Sequence, residues 1–267
     1  MRSLLVLGTF FFTLMGFSSC NEMEIAKTPE LEKPKVERVF YLEDNGEEFG
    51  KFEHAYDIDG HLIETRSLIN TELMWRKAFE YNSNGLKSKS VTYHSFQTST
   101  EYFEYNSDEQ LIKHSVYEVN HDTNGVEGYK EQWHTEYIYK DERLDQIKHS
   151  NGSYSEYKYK RNGIVLIRNF NTNNELRSKR KQTYENGLLT KEVTDVLIYQ
   201  SNESNKWTLE YGYNQDNLLL AKTSNGFVVE QNSYKGLKLM KKELFFDIAN
   251  ASGIIYKDPS RYTIYEY

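Results

Sequence analysis

The side chains able to do chemistry are scattered along the chain. Seven histidines, His54, His61, His94, His114, His121, His134 and His149, form no close two-histidine metal spacing. His121 beside Asp122 could hold a metal only if partners converged from distant segments. No Gly-x-Ser-x-Gly elbow and no phosphate-binding glycine loop occurs. Carboxylates are plentiful, but a glycosidase pair is a three-dimensional fact and nothing in the spacing marks out two of them. The three tryptophans and the many tyrosines could stack on sugars, yet their phasing, given below, assigns them to a core. The expectation is therefore a non-enzymatic protein with no catalytic residue, no metal and no cofactor. Its ligand-binding residues are unassigned, and exposed loops such as Asn120–Gly128 and Ser201–Asn205 are the better contact candidates.

Cys20 is the only cysteine, so no internal disulfide can form. It follows a short basic start at Arg2 and an apolar run from Leu4 to Phe17. That run is too short for a span of about 20 apolar residues and has the layout of a secretory leader. Ser18-Ser19-Cys20, placed directly after such a run, resembles the bacterial lipobox. The resemblance implies a signal peptide over 1–19 and a diacylglycerol on the Cys20 thiol, making the protein anchored rather than spanning. Asn21 after the cysteine, where aspartate would favour inner-membrane retention, implies the outer membrane, with its periplasmic side or the cell surface both open. The polar segment that follows carries Pro29 and Pro34. Residues 20–36 are accordingly expected to form a lipidated cysteine and a flexible tether.

Without Arg2 the chain keeps 32 basic and 40 acidic residues, a net charge of −8. This mild, dispersed acidity argues against a nucleic-acid partner, which needs a concentrated basic surface. The cluster Arg177-Ser178-Lys179-Arg180-Lys181 is a local exception, read as one solvated strand.

The elements that position these groups come from a repeat. Tyr56-Asp57-Ile58-Asp59-Gly60-His61-Leu62 recurs as Tyr81-Asn82-Ser83-Asn84-Gly85-Leu86 and Tyr105-Asn106-Ser107-Asp108-Glu109-Gln110-Leu111. Related copies begin at Tyr139, Tyr159, Tyr184, Tyr213 and Tyr234. In each, an aromatic residue ends a strand, Asn, Asp or Gly makes the turn, and Leu or Ile starts the next strand. Phe79, Phe103, Tyr137, Tyr157 and Tyr211 stand two residues before a landmark tyrosine, and Trp75, Trp133 and Trp207 six before one. Even spacing places all of them on one face of their strands. Glu72, Met74, Arg76 and Glu80 fall on the other face, as do Gln132, His134, Glu136 and Lys140.

The series Tyr-Asp/Asn-x-x-Gly-x-Leu resembles the YD (Rhs-type) repeat over roughly residues 50–240. Glu109 and Asn217 replace its glycine. The resemblance implies hairpins that extend a long curving sheet, which in some large members forms a shell around a toxin. The expected fold is all-β. It is a single domain over 37–267, a long antiparallel meander of about 16–18 strands, curled into an open or partly closed barrel-like shell with the aromatic face inside. A two-sheet sandwich is the alternative, and Tyr262–Tyr267 is expected as a final edge strand. A lipid-embedded barrel is rejected because one face is charged mid-strand and Lys77, Ser155 and Lys179 interrupt the other. The expected function is an envelope lipoprotein that binds or scaffolds a protein or glycan partner. A toxin-immunity or accessory factor of an Rhs-type system is the alternative, and a glycan-acting enzyme ranks lower.

Overall fold

The computed structural model describes residues 30–41, 48–120, 130–197, 204–245 and 261–267. Cys20, His121 and most of both loops named above, Asn120–Gly128 and Ser201–Asn205, lie outside them. The first strands are β1 (Val36–Tyr41), β2 (Glu48–Tyr56), β3 (Leu62–Ile69), β4 (Glu72–Tyr81), β5 (Lys87–His94) and β6 (Gln97–Tyr105). Then come β7 (Leu111–Asn120), β8 (Lys130–Lys140), β9 (Arg143–His149), β10 (Tyr154–Lys160), β11 (Ile164–Phe170) and β12 (Leu176–Glu185). The last six are β13 (Leu188–Leu197), β14 (Ser204–Tyr213), β15 (Leu219–Ser224), β16 (Phe227–Lys235), β17 (Lys238–Leu244) and β18 (Arg261–Glu266). Each strand pairs antiparallel with the next in sequence, and β18 pairs with β1 over Val36↔Glu266 to Tyr41↔Arg261. The sheet is a closed 18-stranded up-and-down barrel, neither open nor split. Tyr262–Tyr267 is thus no edge: β17 flanks it on one side and β1 on the other, and closure removes free edges altogether.

The landmark turns all lie at one rim. After Tyr56, Tyr81, Tyr105 and Tyr213 an Asp or Asn caps the turn with its own side chain. Asn82 Oδ1 accepts from the backbone N–H of Asn84 at 3.0 Å and of Leu86 at 2.9 Å. Asn106 and Asn214 repeat the arrangement, and Asp57 Oδ1 accepts from His61 N–H at 2.7 Å. The fourth turn residue is left-handed: φ is 80° at Gly60 and 75° at Gly85. Glu109 at 61° and Asn217 at 62° take the same conformation where the repeat loses its glycine. Without Cβ a glycine bears this at little cost, whereas glutamate does not.

The tyrosine rings then tie one hairpin to the next. At seven of the eight landmark hairpins the register shifts beside the tyrosine, so the following strand gains one residue, as between Glu80↔Lys89 and Tyr81↔Lys87. The hairpins part near this rim: the β3–β4 ladder starts at Glu64↔Ala78 and leaves Leu62 unpaired with β4. Its carbonyl would be orphaned, and Tyr81 Oη donates to it at 2.9 Å. The same bond runs from Tyr105 to Lys87 O at 2.8 Å, Tyr139 to Leu111 O at 3.1 Å, and Tyr159 to Leu144 O at 3.1 Å. Tyr213 to Leu189 O, Tyr234 to Leu219 O and Tyr267 to Leu239 O, each at 2.8 Å, continue it. Tyr56 reaches Pro34 O at 3.1 Å.

Tyr184 breaks the series in an instructive way. The β10–β11 hairpin has no register shift, and β11 stays paired with β12 from Ile164↔Thr183 onward. No carbonyl is left over, and Tyr184 Oη donates to Gln182 Oε1 instead. The tighter turn there depends on Gly163, where φ is 65° and a Cβ would lie 2.3 Å from Tyr184 O.

Residues 32–35, the end of the expected tether, are held at the landmark rim. Lys35 N–H donates to Glu266 O at 2.7 Å and Glu32 N–H to Leu237 O at 3.2 Å.

Tyr81→Phe and Tyr105→Phe should each cost about 1 kcal/mol in denaturant unfolding, because each strands a partly buried carbonyl. Tyr184→Phe, whose hydroxyl meets only a side chain, should cost measurably less. Glu109→Gly should raise stability by up to about 1 kcal/mol by removing the left-handed strain.

Candidate functional site

Side-chain exposure identifies the concave wall. The cross-strand row Phe79–Ser90–Glu101–Val116–Trp133 belongs to the face of the landmark tyrosines. Nearly every strand residue that is buried lies on that face, among them Ser67, Thr135, Ile167, Thr194 and Tyr265. Thr100 and Ser115, covered by the Tyr102 and Tyr117 pair on the other face, are exceptions. Ion pairs divide the same way. Glu230 and Lys242 on the landmark face are each 16 % exposed, while Lys191 and Glu210 opposite are 47 % and 53 % exposed. Side chains converge on the inside of a curved sheet and diverge on its outside, so the landmark face is concave. As expected, Trp75, Trp133 and Trp207 share it, and so do Lys77 and Ser155. Lys179 does not: it pairs with Arg168 and Asp195 on the convex wall, while Ser178 and Arg180 point inward.

The concave wall is not a closed core. Eighteen tilted strands about 4.8 Å apart make a ring roughly 35 Å across, and barrels of this strand number leave an aqueous interior. Along the wall the contacts run between neighbouring or next-neighbour strands, as in Lys77–Glu101, Glu230–Lys242 and His114–Trp133. Trp133 is accordingly 43 % exposed, in a place where a packed interior would have covered it. The aromatic face is inside the curled sheet, as expected, but it is covered by its neighbours along the wall, because a ring this wide keeps its opposite walls apart.

The richest part of this wall spans β4 to β8. Ser90 and Thr92 on β5 are small, so Lys77 of β4 reaches across them to an ion pair with Glu101 of β6. The other oxygen of Glu101 lies 3.1 Å from His114 Nε2. His114 stacks on Phe103 at 4.5 Å and meets the Trp133 ring edge-on at 5.1 Å. Lys87 lies 4.2 Å from the Phe103 ring centre, a cation–π contact. Burial alone would push the Glu101 carboxyl up. The His114 hydrogen bond, the Lys77 charge and its hydrogen bond outweigh that and hold it down at about 2. Burial pushes the Lys87 ammonium down, with Lys77 adding to the effect and Glu101 opposing it.

A second cluster lies across β1, β2, β16, β17 and β18. Glu230 pairs with Lys242 at 3.2 Å, and His54 Nε2 stands 3.9 Å from Glu37. Burial raises Glu37, against the charges of Lys242 and Arg261, and burial lowers His54. Burial also raises the wall tyrosines, Tyr159 to about 12 and Tyr234 to about 12. The wall thus offers rings and fixed charges in alternation.

Neither cluster was visible as a site in the sequence. Lys77 reads there only as an interruption of an aromatic face, and its partner Glu101 is two strands away. The histidines separate as their spacing implies: His54 and His114 line the lumen, and His61 sits in a rim turn. Asp57, Asp59 and His61 do gather ligand atoms within 4.8 Å of one another. The turn accounts for this, since Asp57 accepts both from His61 N–H and, at 3.1 Å, from its ring.

No protein-family model and no curated protein matches the chain. Among solved structures it resembles a porin-like protein from Bacteroides uniformis, with a TM-score of 0.42 and 11 % identity over 88 % of this chain and 98 % of that one. A chain of the TcdB2-TccC3-Cdc42 complex matches with a TM-score of 0.19 and 10 % identity, over 75 % of this chain and 16 % of that one.

Glu101 has a lowered folded pKa, so its contribution is full above about 4.5 and is lost as pH falls towards about 2. Stability should drop across that window by on the order of 3 kcal/mol on its account. Glu101→Gln should be less stable at neutral pH and show a flatter acid limb in denaturant titrations. An unchanged acid limb would remove the ion-pair reading.

Proposed function

We propose that the protein is a non-enzymatic envelope lipoprotein, tethered through Cys20, whose barrel binds or scaffolds a protein or glycan partner. The observation that carries this reading is the charge on the convex wall. Arg66, Arg76 and Lys89 stand within the strands there on β3 to β5, and Glu156, Arg168, Lys179 and Lys181 on β10 to β12. A wall facing hydrocarbon needs a continuous apolar band, and charges at mid-depth cost a few kcal/mol each. Such a barrel belongs in water, and a membrane link then has to come from outside it. No helix among the described residues is long and apolar enough to cross a membrane. The lipobox-like Ser18-Ser19-Cys20 supplies the link by a covalent lipid.

The path of the chain gives this arrangement a direction. Residues 32–35 leave from the landmark rim, so a lipid on Cys20 turns that rim towards the membrane. The opposite rim faces away. It carries Leu73, Met74, Phe96, Phe227 and Val228, all exposed. Exposed apolar groups at the end of a tethered body suit contact with a partner.

Fractionation tests the reading. Wild-type protein should sediment with membranes and enter the detergent phase, and Cys20→Ala should be soluble and equally folded. A Cys20→Ala protein that remains in the membrane sinks the proposal, because the barrel itself would then be the membrane element.

A further inference from the structure

The basic run Arg177–Lys181 lies on one strand, β12, as expected. It is split between the two walls, and its outward lysines join others that the sequence holds far apart. On the convex wall one cross-strand row reads Lys158–Leu166–Lys181–Val193, from β10 to β13. The next reads Glu156–Arg168–Lys179–Asp195–Lys206, from β10 to β14. Lys160 extends the patch along β10. A shallow cleft of about 350 Å³ runs between these rows, with Leu166 and Val193 in its floor.

Elsewhere on this wall basic groups hold carboxylates: Arg66 to Glu64 at 2.6 Å, Lys89 to Glu80 at 2.9 Å, Lys191 to Glu210 at 2.8 Å. Within the patch Arg168 is held by Glu156 at 2.6 Å. Lys158, Lys160, Lys179, Lys181 and Lys206 are all exposed, and among the described residues none has a carboxylate within ion-pair distance. Asp195 is the one acidic side chain lining the cleft. A protein of net charge −7 therefore concentrates uncompensated positive charge on one quarter of its ring.

We propose that this cleft binds an anionic polysaccharide, a chain carrying carboxylate or sulfate groups at regular intervals. The inference rests on the binding-module reading above and names its ligand class. The patch crosses four strand spacings, about 19 Å, which suits an extended chain rather than a single small anion. Its lysines flank an apolar floor, so ring faces can settle on Leu166 and Val193 while the acidic groups meet ammonium groups. A lipid surface fits less well: the patch is on the side wall, and the tether leaves from the rim. An acidic peptide fits less well too, since a closed barrel offers no strand edge for its backbone to pair with.

The test uses full-length lipoprotein in non-ionic detergent, titrated with polygalacturonate, dextran sulfate, neutral dextran and polyglutamate at low and raised salt. The expected result is binding of the two anionic glycans that weakens with salt and falls at least about tenfold in Lys179→Glu/Lys181→Glu. Lys158→Gln/Lys206→Gln, a milder variant for use if charge reversal disturbs folding, should fall by less. Lys235→Glu, outside the patch, should bind as wild type does. Failure of both anionic glycans to bind at low salt, equal binding by the patch variants, or equal binding of polyglutamate would each overturn the proposal. None of these outcomes alters the fractionation of Cys20→Ala, so the anchored reading stands or falls separately.

Discussion

The bond on which the architecture depends is the one from a tyrosine hydroxyl to a carbonyl at the start of the preceding strand. Hairpins in this chain are well paired internally but part from their neighbours near one rim. Parting leaves a carbonyl without a ladder partner, and burying such a group unsatisfied is costly. The tyrosine resolves this from the concave side by donating its hydroxyl to that carbonyl. The geometry repeats from Tyr56 to Tyr267, so each hairpin is set against the next in the same way. The exception supports the rule: where β11 and β12 do not part, Tyr184 has no carbonyl to serve and turns to Gln182.

A constant junction between hairpins gives constant curvature, and eighteen strands of it meet end to start. Closure explains the rest of the layout. It makes β18 an interior strand and sets residues 32–35 and Tyr267 at one rim. The resulting ring is too wide for its walls to touch. Its inner wall is therefore neither core nor open surface. Rings and ion pairs such as Lys77–Glu101–His114 satisfy one another there, at the boundary of a wide lumen. The outer wall carries charged side chains mid-strand, among them Arg66, Arg168, Lys179 and Lys181.

Much of this was legible in the residues. Tyrosine, Asn/Asp and glycine in fixed order announce the hairpins, and the even offsets of Trp75, Trp133 and Trp207 correctly give the shared face. Glu109 and Asn217 look like defects in the repeat, yet they adopt the glycine's left-handed conformation. What the sequence does not carry is distance around the ring. Nothing local says that Val36 will meet Glu266, so closure could not be chosen over an open shell or a sandwich. For the same reason Glu101 could not be matched to Lys77, nor Lys158 and Lys206 to Lys179 and Lys181. Lys179 itself shows how fragile face assignment is, since an error of one residue in counting reverses the wall.

The lumen and the two walls both follow from closure. Amide hydrogen exchange in β1 and β18, followed in detergent-free buffer on the Cys20→Ala protein, tests it directly. A closed barrel predicts that Arg38, Phe40, Tyr262 and Ile264 are protected as strongly as the central β12–β13 pair. Rapid exchange at those four positions, with β12–β13 still protected, would mean two free edges and an open sheet, and would contradict the account.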